Sequence, residues 1–366
     1  LMQKVYIYLE NGIFLEANSF GADTTAVGKL VYNNSTFGQQ EIITDPSNNG
    51  LFINFTAVEI GNTGANRVDM ESSKAHAKGI IVRNYHDFYS NYRADMSLKD
   101  FLIEQNVVGI CDIDTRFLTK IVREEGSMMM IASTQISSKD ELAKKLNEAK
   151  KYDEINFVKD ISTKEAYIHK SGVWNHETGE YNKAQMSDKK VLVIDYGVKK
   201  SFLNELVELG FEVEVVPSST KAEDIINNFK AGKISGVVLS SGAGNPNILT
   251  NEIAEIKILI DSNIPMLAVG LGHYLLALAS GVKVDKIKSI KYGSHPVRGE
   301  KTVEICSING DFKISEDIKN IADVTHIKVF NDSAVALKYK NKNELSSEFT
   351  PTSNSSICKE FAQMAK

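Results

Sequence analysis

The sequence predicts two domains of different class: an α+β domain over residues 1–150, then an α/β doubly wound domain over 190–366, joined by a linker at 151–189. Three observations lead there. Short strands mix irregularly with helices before residue 150, Tyr167–Lys190 follows no clear period, and strand and helix alternate regularly from Lys190 onward. A chain of 366 residues is also long enough to give each domain its own core.

In the first domain, "MQKVYIYLENGIFLEANSF" reads as strand–turn–strand with Asn11-Gly12 as the hairpin signal. Further strands are expected at Lys29–Tyr32, Leu51–Phe55, Gly79–Arg83 and Met129–Ala132. One helix should follow Ser97, a good N-cap, and another should run from Asp114 to a terminating Gly126. A polar helix begins near Ser138. In the second domain "KKVLVIDYG", "FEVEVVP", "SGVVLSSGAG" and "IPMLAVG" are strands, and helices fall between them. That spacing implies right-handed crossovers and a largely parallel sheet, whose binding sites lie at the carboxyl ends of strands. "DYG", "SSGAG" and "VGLGH" fall at such ends. After Lys291 the chain reads as strands again.

Composition narrows the function. A hydrophobic content of 42% with 24% charged residues is that of an ordinary soluble globular protein. A net charge of −5 without a basic run argues against nucleic acid. Cys111, Cys306 and Cys358 lie far apart with no CxxC spacing, which points to a reducing, cytoplasmic setting and to no metal site. The N-terminal stretch has no uninterrupted apolar core of a secretion signal, and Ile264–Gly281, though long and apolar, contains His273 and Tyr274 and suits a buried strand and helix rather than a membrane span.

Ile264–Gly281 also carries the sharpest chemical signal. It is a strand, a glycine-flanked turn and a helix, the arrangement that exposes a nucleophile just ahead of a helix N-terminus. A thiol on such a turn would be helped toward its thiolate by the helix dipole. The residue at the turn is Gly270, which has no side chain. At the neighbouring strand end, "SSGAGNP" places Gly242 and Gly244, either as turn glycines or as backbone N–H donors for a substrate.

Over nearly its whole length the chain resembles the small subunits of carbamoyl-phosphate synthase, whose C-terminal half is a class I (triad) glutamine amidotransferase-like domain. The runs that carry the resemblance are "GKLVYNNSTFGQQEIITDPS", "IGNTGAN", "MSLKDFL" and "GICDIDTRFLTKIVREEGSM" in the first domain, and "VLVIDYGVKKSFLNELVELG", "GVVLSSGAGNP", "LGHYLLALASG", "HPV" and "VTH" in the second. The resemblance implies a domain that hydrolyses glutamine with a cysteine nucleophile, a histidine base and an orienting glutamate. Ammonia then passes to a large subunit, which makes carbamoyl phosphate from bicarbonate and two ATP for arginine and pyrimidine biosynthesis. No cofactor is expected on this chain, since ATP and Mg belong to the large subunit.

The catalytic positions depart from the family. Its elbow, Gly-Ile-Cys-Leu-Gly-His-Gln, reads Ala268-Val269-Gly270-Leu271-Gly272-His273-Tyr274 here, with His273 in a structural role. Its His-Pro-Glu reads Thr350-Pro351-Thr352. The vestigial glutamine site would comprise Ser47, Gly242, Gly244, Leu271, Tyr274, Asn309, Asp311 and Phe312, with Asp311 replacing a family glycine. Ala243 and Asn245 replace a proline and an aspartate, and "YGSHPV", Tyr292–Val297, is a shortened loop. No triad member is left, and hydroxyls at 350 and 352 cannot shuttle a proton near neutral pH as imidazole does. The expectation is a pseudoenzyme: a non-catalytic partner of a large subunit that uses free ammonia, as family members without the cysteine do. Two alternatives are an active glutamine-hydrolysing subunit with relocated chemistry, and a small-molecule sensor in the emptied pocket, where Asp311 would favour a cationic ligand.

Overall fold

In a computed structural model, residues 2–366 are described, save the side chains of residues 289–291. The chain divides into two units. The first comprises Leu1–Ile155 with Ile287–Ser294, and the second Asn156–Lys286 with His295–Lys366.

The first unit is built on a closed barrel. Its strands run, in spatial order, Gln3–Leu9, Phe14–Ser19, Val108–Cys111, Gly79–Ile81, Leu51–Phe55, Thr25–Asn33 and Met128–Ser133, the last pairing back to the first. The Asn11-Gly12 hairpin forms as expected, pairing Tyr8 with Phe14 around a Gly12 at φ 91°. The run from Thr25–Asn33 through Leu51–Phe55 and Gly79–Ile81 to Val108–Cys111 is parallel. Apolar residues pack both faces of these strands, with Val5, Ile7, Leu9, Leu30, Phe52, Ile80 and Ile131 all fully buried.

The expected helices follow their caps. Ser97 accepts the Asp100 N–H at the start of Leu98–Glu104. Asp114 accepts the Arg116 and Phe117 N–H groups ahead of Thr115–Glu125, which stops at Gly126. Ser138 caps Lys139–Glu148 in the same way. Each cap satisfies donors that have no partner within the helix.

The second unit is a ten-stranded sheet. Its centre is parallel, in the order Glu212–Pro217, Lys190–Asp195, Gly236–Leu239, Met266–Val269 and Glu344–Ser347. Helices Lys200–Glu208, Ala222–Lys230, Thr250–Asp261 and Leu271–Ala279 follow successive strands. Ala334–Tyr339 and Ala322–Lys328 extend one side antiparallel, followed by the Val297–Arg298 end of strand Val284–Arg298 and by Val303–Ile314, as the reading after Lys291 anticipated. The stretch read as a periodless linker holds more structure than expected. Tyr167–His169 pairs antiparallel with Glu212–Pro217, and Ser171–Asn175 forms a hairpin with Glu180–Lys183. These strands bury little on either face, so no alternation betrays them in sequence. No helix among the described residues is long and apolar enough to cross a membrane.

One buried charge shapes the stability of this sheet. Glu344 opens the strand beside Met266, and its Oε2 is buried with no hydrogen-bond partner among the described residues. Desolvation pushes its carboxyl up to about 7. An acid that binds its proton more tightly when folded loses stability as pH rises from its unfolded pKa to its folded one. Melting measurements should therefore show stability falling between about pH 4.5 and 7, by up to about 3 kcal/mol. Glu344→Gln should flatten that slope.

Candidate functional site

The site is the turn between strand Met266–Val269 and helix Leu271–Ala279. Gly270 occupies it at φ 55° and ψ −118°, outside the left-handed helical basin and unfavourable for any residue with a Cβ. The elbow's strained backbone is thus present although no side chain stands on it. A Cβ at this position would meet the Ser241 Cβ at 3.0 Å. Gly270→Ala is expected to destabilise the unit by about 1–3 kcal/mol, measurable by urea denaturation.

Neighbouring strands hold this turn. The Gly270 N–H donates to the Ser347 carbonyl at 2.9 Å, continuing the parallel register that pairs Val269 with Ser347. Thr350 lies three residues beyond Ser347, so positions 270, 350 and 352 follow the carboxyl ends of adjacent strands, where a triad would have to assemble. Thr350 is half-buried and Thr352 exposed, and the Thr352 carbonyl accepts the Ser355 hydroxyl at 2.7 Å, at the cap of the terminal helix Ser356–Met364.

The glycine turn "SSGAG" is a tight piece of backbone. A Cβ on Gly242 would run into the Tyr196 carbonyl, so this position needs glycine for packing alone. Ser240 fixes the turn by accepting the Tyr196 N–H at 2.8 Å and donating to the Ser241 carbonyl at 2.8 Å. Asp195, from "DYG", accepts the Gly197 and Val198 N–H groups, both at 2.9 Å. His273 is buried on the elbow helix with its Nδ1 2.8 Å from the Ser346 hydroxyl, the structural role expected of it.

Residues 7–132 match the model of the carbamoyl-phosphate synthase small chain, CPSase domain, and residues 192–352 match class-I glutamine amidotransferase. The carbamoyl phosphate synthase small chain of Campylobacter jejuni is 46% identical over 370 residues, covering 99% of this chain and 100% of that protein. This chain belongs to the carbamoyl phosphate synthase small-chain family. The small chain of Helicobacter hepaticus is 44% identical, covering 93% of this chain and 91% of that protein, and that of Helicobacter pylori strain 26695 is 41% identical, covering 99% of each.

In this small chain, Tyr274 fills the space beside the elbow. It is 4% exposed, its ring packs edge-on to Phe312 with centroids 6.2 Å apart, and its hydroxyl lies 3.2 Å from the Phe312 carbonyl and also bonds the Glu348 carboxyl. Glu348 was not singled out in the sequence. The signal for it was indirect: a buried tyrosine needs an acceptor for its O–H, and Glu348 is the acid just upstream of Thr350. Leu271, Tyr274 and Phe312 belong to one hydrophobic core cluster, so the structure brings these three site residues together.

Asp311, expected to favour a cationic ligand, is instead 2% exposed with the Lys286 ammonium 3.9 Å away. A carboxylate taken out of water needs such compensation, and this one has a cation of its own chain. Asn309 is half-buried on the same strand, Val303–Ile314, and Gly244 turns the chain at φ 98°. Ser47 lies in the first unit, where its hydroxyl and N–H both bond the Asp45 carboxylate, at 2.7 and 2.9 Å. The shortened "YGSHPV" forms part of the long strand Val284–Arg298.

The remaining thiols of the second unit are buried. Burial, aided by Glu304, pushes Cys306 up to about 11, and burial pushes Cys358 up to about 12. Both are therefore protonated near neutral pH, the state least suited to attack a carbonyl. Among the described residues no hydrogen bond joins either thiol to an imidazole. His326 bonds the Thr325 hydroxyl through Nδ1 and packs its ring near Phe349, and burial lowers its pKa.

Proposed function

We propose that this small chain has lost glutamine hydrolysis and serves as a non-catalytic partner of a carbamoyl phosphate synthase large chain supplied with free ammonia. The observation that carries the reading is a glycine in the nucleophile-elbow conformation, with Thr350 and Thr352, at the sequence positions of the family's histidine and glutamate, following the neighbouring strand Glu344–Ser347. Hydrolysis needs a thiolate to attack the carboxamide and a base to move its proton, and no atom at these positions performs either task. Tyr274, at the position of the family's glutamine after the elbow histidine, is buried and braced by Glu348 and Phe312, which supports the loss of glutamine binding. What persists is a two-unit scaffold, which is what a partner chain requires. ATP and Mg would be handled by the large chain, and the product would enter arginine and pyrimidine biosynthesis in the cytoplasm.

A glutamine-like diazo-ketone tests this reading directly. It alkylates a cysteine activated within a glutamine site, so mass spectrometry of the treated chain should find no stoichiometric adduct. A stoichiometric adduct on Cys306 or Cys358 would mean that the chemistry has moved rather than vanished.

A further inference from the structure

The first unit contains a solvent-open cleft of about 620 Å³ lined by none of the candidate glutamine-site residues. That volume falls within the range of about 300–1,000 Å³ typical of small-molecule sites. One wall is the exposed face of helix Thr115–Glu125, which carries Arg116, Lys120 and Arg123 at helical spacing, and Thr56 lines it just past the end of strand Leu51–Phe55. The cleft thus sits at the carboxyl end of a strand in the parallel run of the barrel, the place where parallel sheets present ligands.

The charges here are unusual for a chain with net charge −5. Elsewhere in the same unit, Arg67 is held by Glu104 and Arg93 by Asp69. Arg116 and Arg123 make no ion pair or side-chain hydrogen bond among the described residues. Lys120 has Glu124 at 3.9 Å, a loose contact between two exposed side chains. With three cations and one carboxylate, 3 − 1 leaves a local charge of +2. The helix wall is held in place: buried Asn54 donates to the Thr115 carbonyl and to the Thr119 hydroxyl, both at 3.0 Å, fixing the first turn of the helix on its strand.

We infer that this cleft binds a phosphate group, carried by a small molecule or free as inorganic phosphate. Guanidinium groups match tetrahedral phosphate oxygens with paired N–H donors, and a phosphate of charge about −1.5 to −2 neutralises the local excess. The inference stands on the first unit alone and does not depend on the loss of hydrolysis.

Inorganic phosphate is the probe, with the full chain followed by calorimetry or by thermal shift. Saturable binding at millimolar phosphate is expected, weakened at least about tenfold in Arg116→Gln/Arg123→Gln. Lys144→Gln, on a different exposed helix face, should bind as the unaltered chain does. Both arginines are exposed, and far-UV circular dichroism of the double variant checks that it folds. Absence of saturation, equal binding by the double variant, or malonate binding as tightly as phosphate would each overturn the assignment. A phosphomonoester binding more tightly than inorganic phosphate would support it and identify the source as a small molecule.

Discussion

Given saturating glutamine, the purified chain is expected to release ammonia no faster than a protein-free control. Removing the nucleophile or the base of a triad lowers turnover about a million-fold, and removing all three members costs little more because they act as a unit. Gly270→Cys alone should stay at background. Its thiol would gain from the N-terminus of helix Leu271–Ala279, but Thr350 could not take up the proton. Recovery should require Gly270→Cys, Thr350→His and Thr352→Glu together with Tyr274→Gln, which frees the space the ring now fills. Glutaminase activity in the unaltered chain, measured by a coupled ammonia assay, would show that chemistry persists elsewhere in the molecule.

The largest stability effect is expected at Tyr274. Its ring is in the core of the second unit, so Tyr274→Ala should cost about 3–5 kcal/mol, the range for emptying a buried aromatic site. Tyr274→Phe keeps the ring and removes only the hydroxyl's bonds to the Glu348 carboxyl and the Phe312 carbonyl, so it should cost about 1–3 kcal/mol. Urea denaturation of the second unit separates the two. If the alanine variant lost less than about 1 kcal/mol, Tyr274 would be a passive occupant of an open pocket rather than part of the core.

The legible parts of this chain were those governed by local rules. Ser97, Asp114 and Ser138 cap helices that start where the sequence placed them, and Asn11-Gly12 turns the hairpin. The buried parallel strands read as short apolar runs, and Gly270 fell on the turn that the strand–helix pattern required. Closure of the barrel was not legible, because pairing Gln3–Leu9 with Met128–Ser133 depends on contacts more than a hundred residues apart. The hairpin of Ser171–Asn175 with Glu180–Lys183 was missed because neither strand has a buried face to impose a period of two. At the site, the identities of positions 270, 350 and 352 were plain, whereas the bond between Tyr274 and Glu348 and the burial of Asp311 against Lys286 were not. Those belong to tertiary packing, which brings together residues far apart in the chain.

The most direct measurement is carbamoyl phosphate synthesis by this chain mixed with its large chain, with bicarbonate, ATP and Mg, and with either ammonia or glutamine as the nitrogen source. Synthesis with ammonia and none above background with glutamine is expected. Glutamine supporting synthesis as well as ammonia does would contradict the claim that an elbow bearing glycine leaves this subunit without a nucleophile.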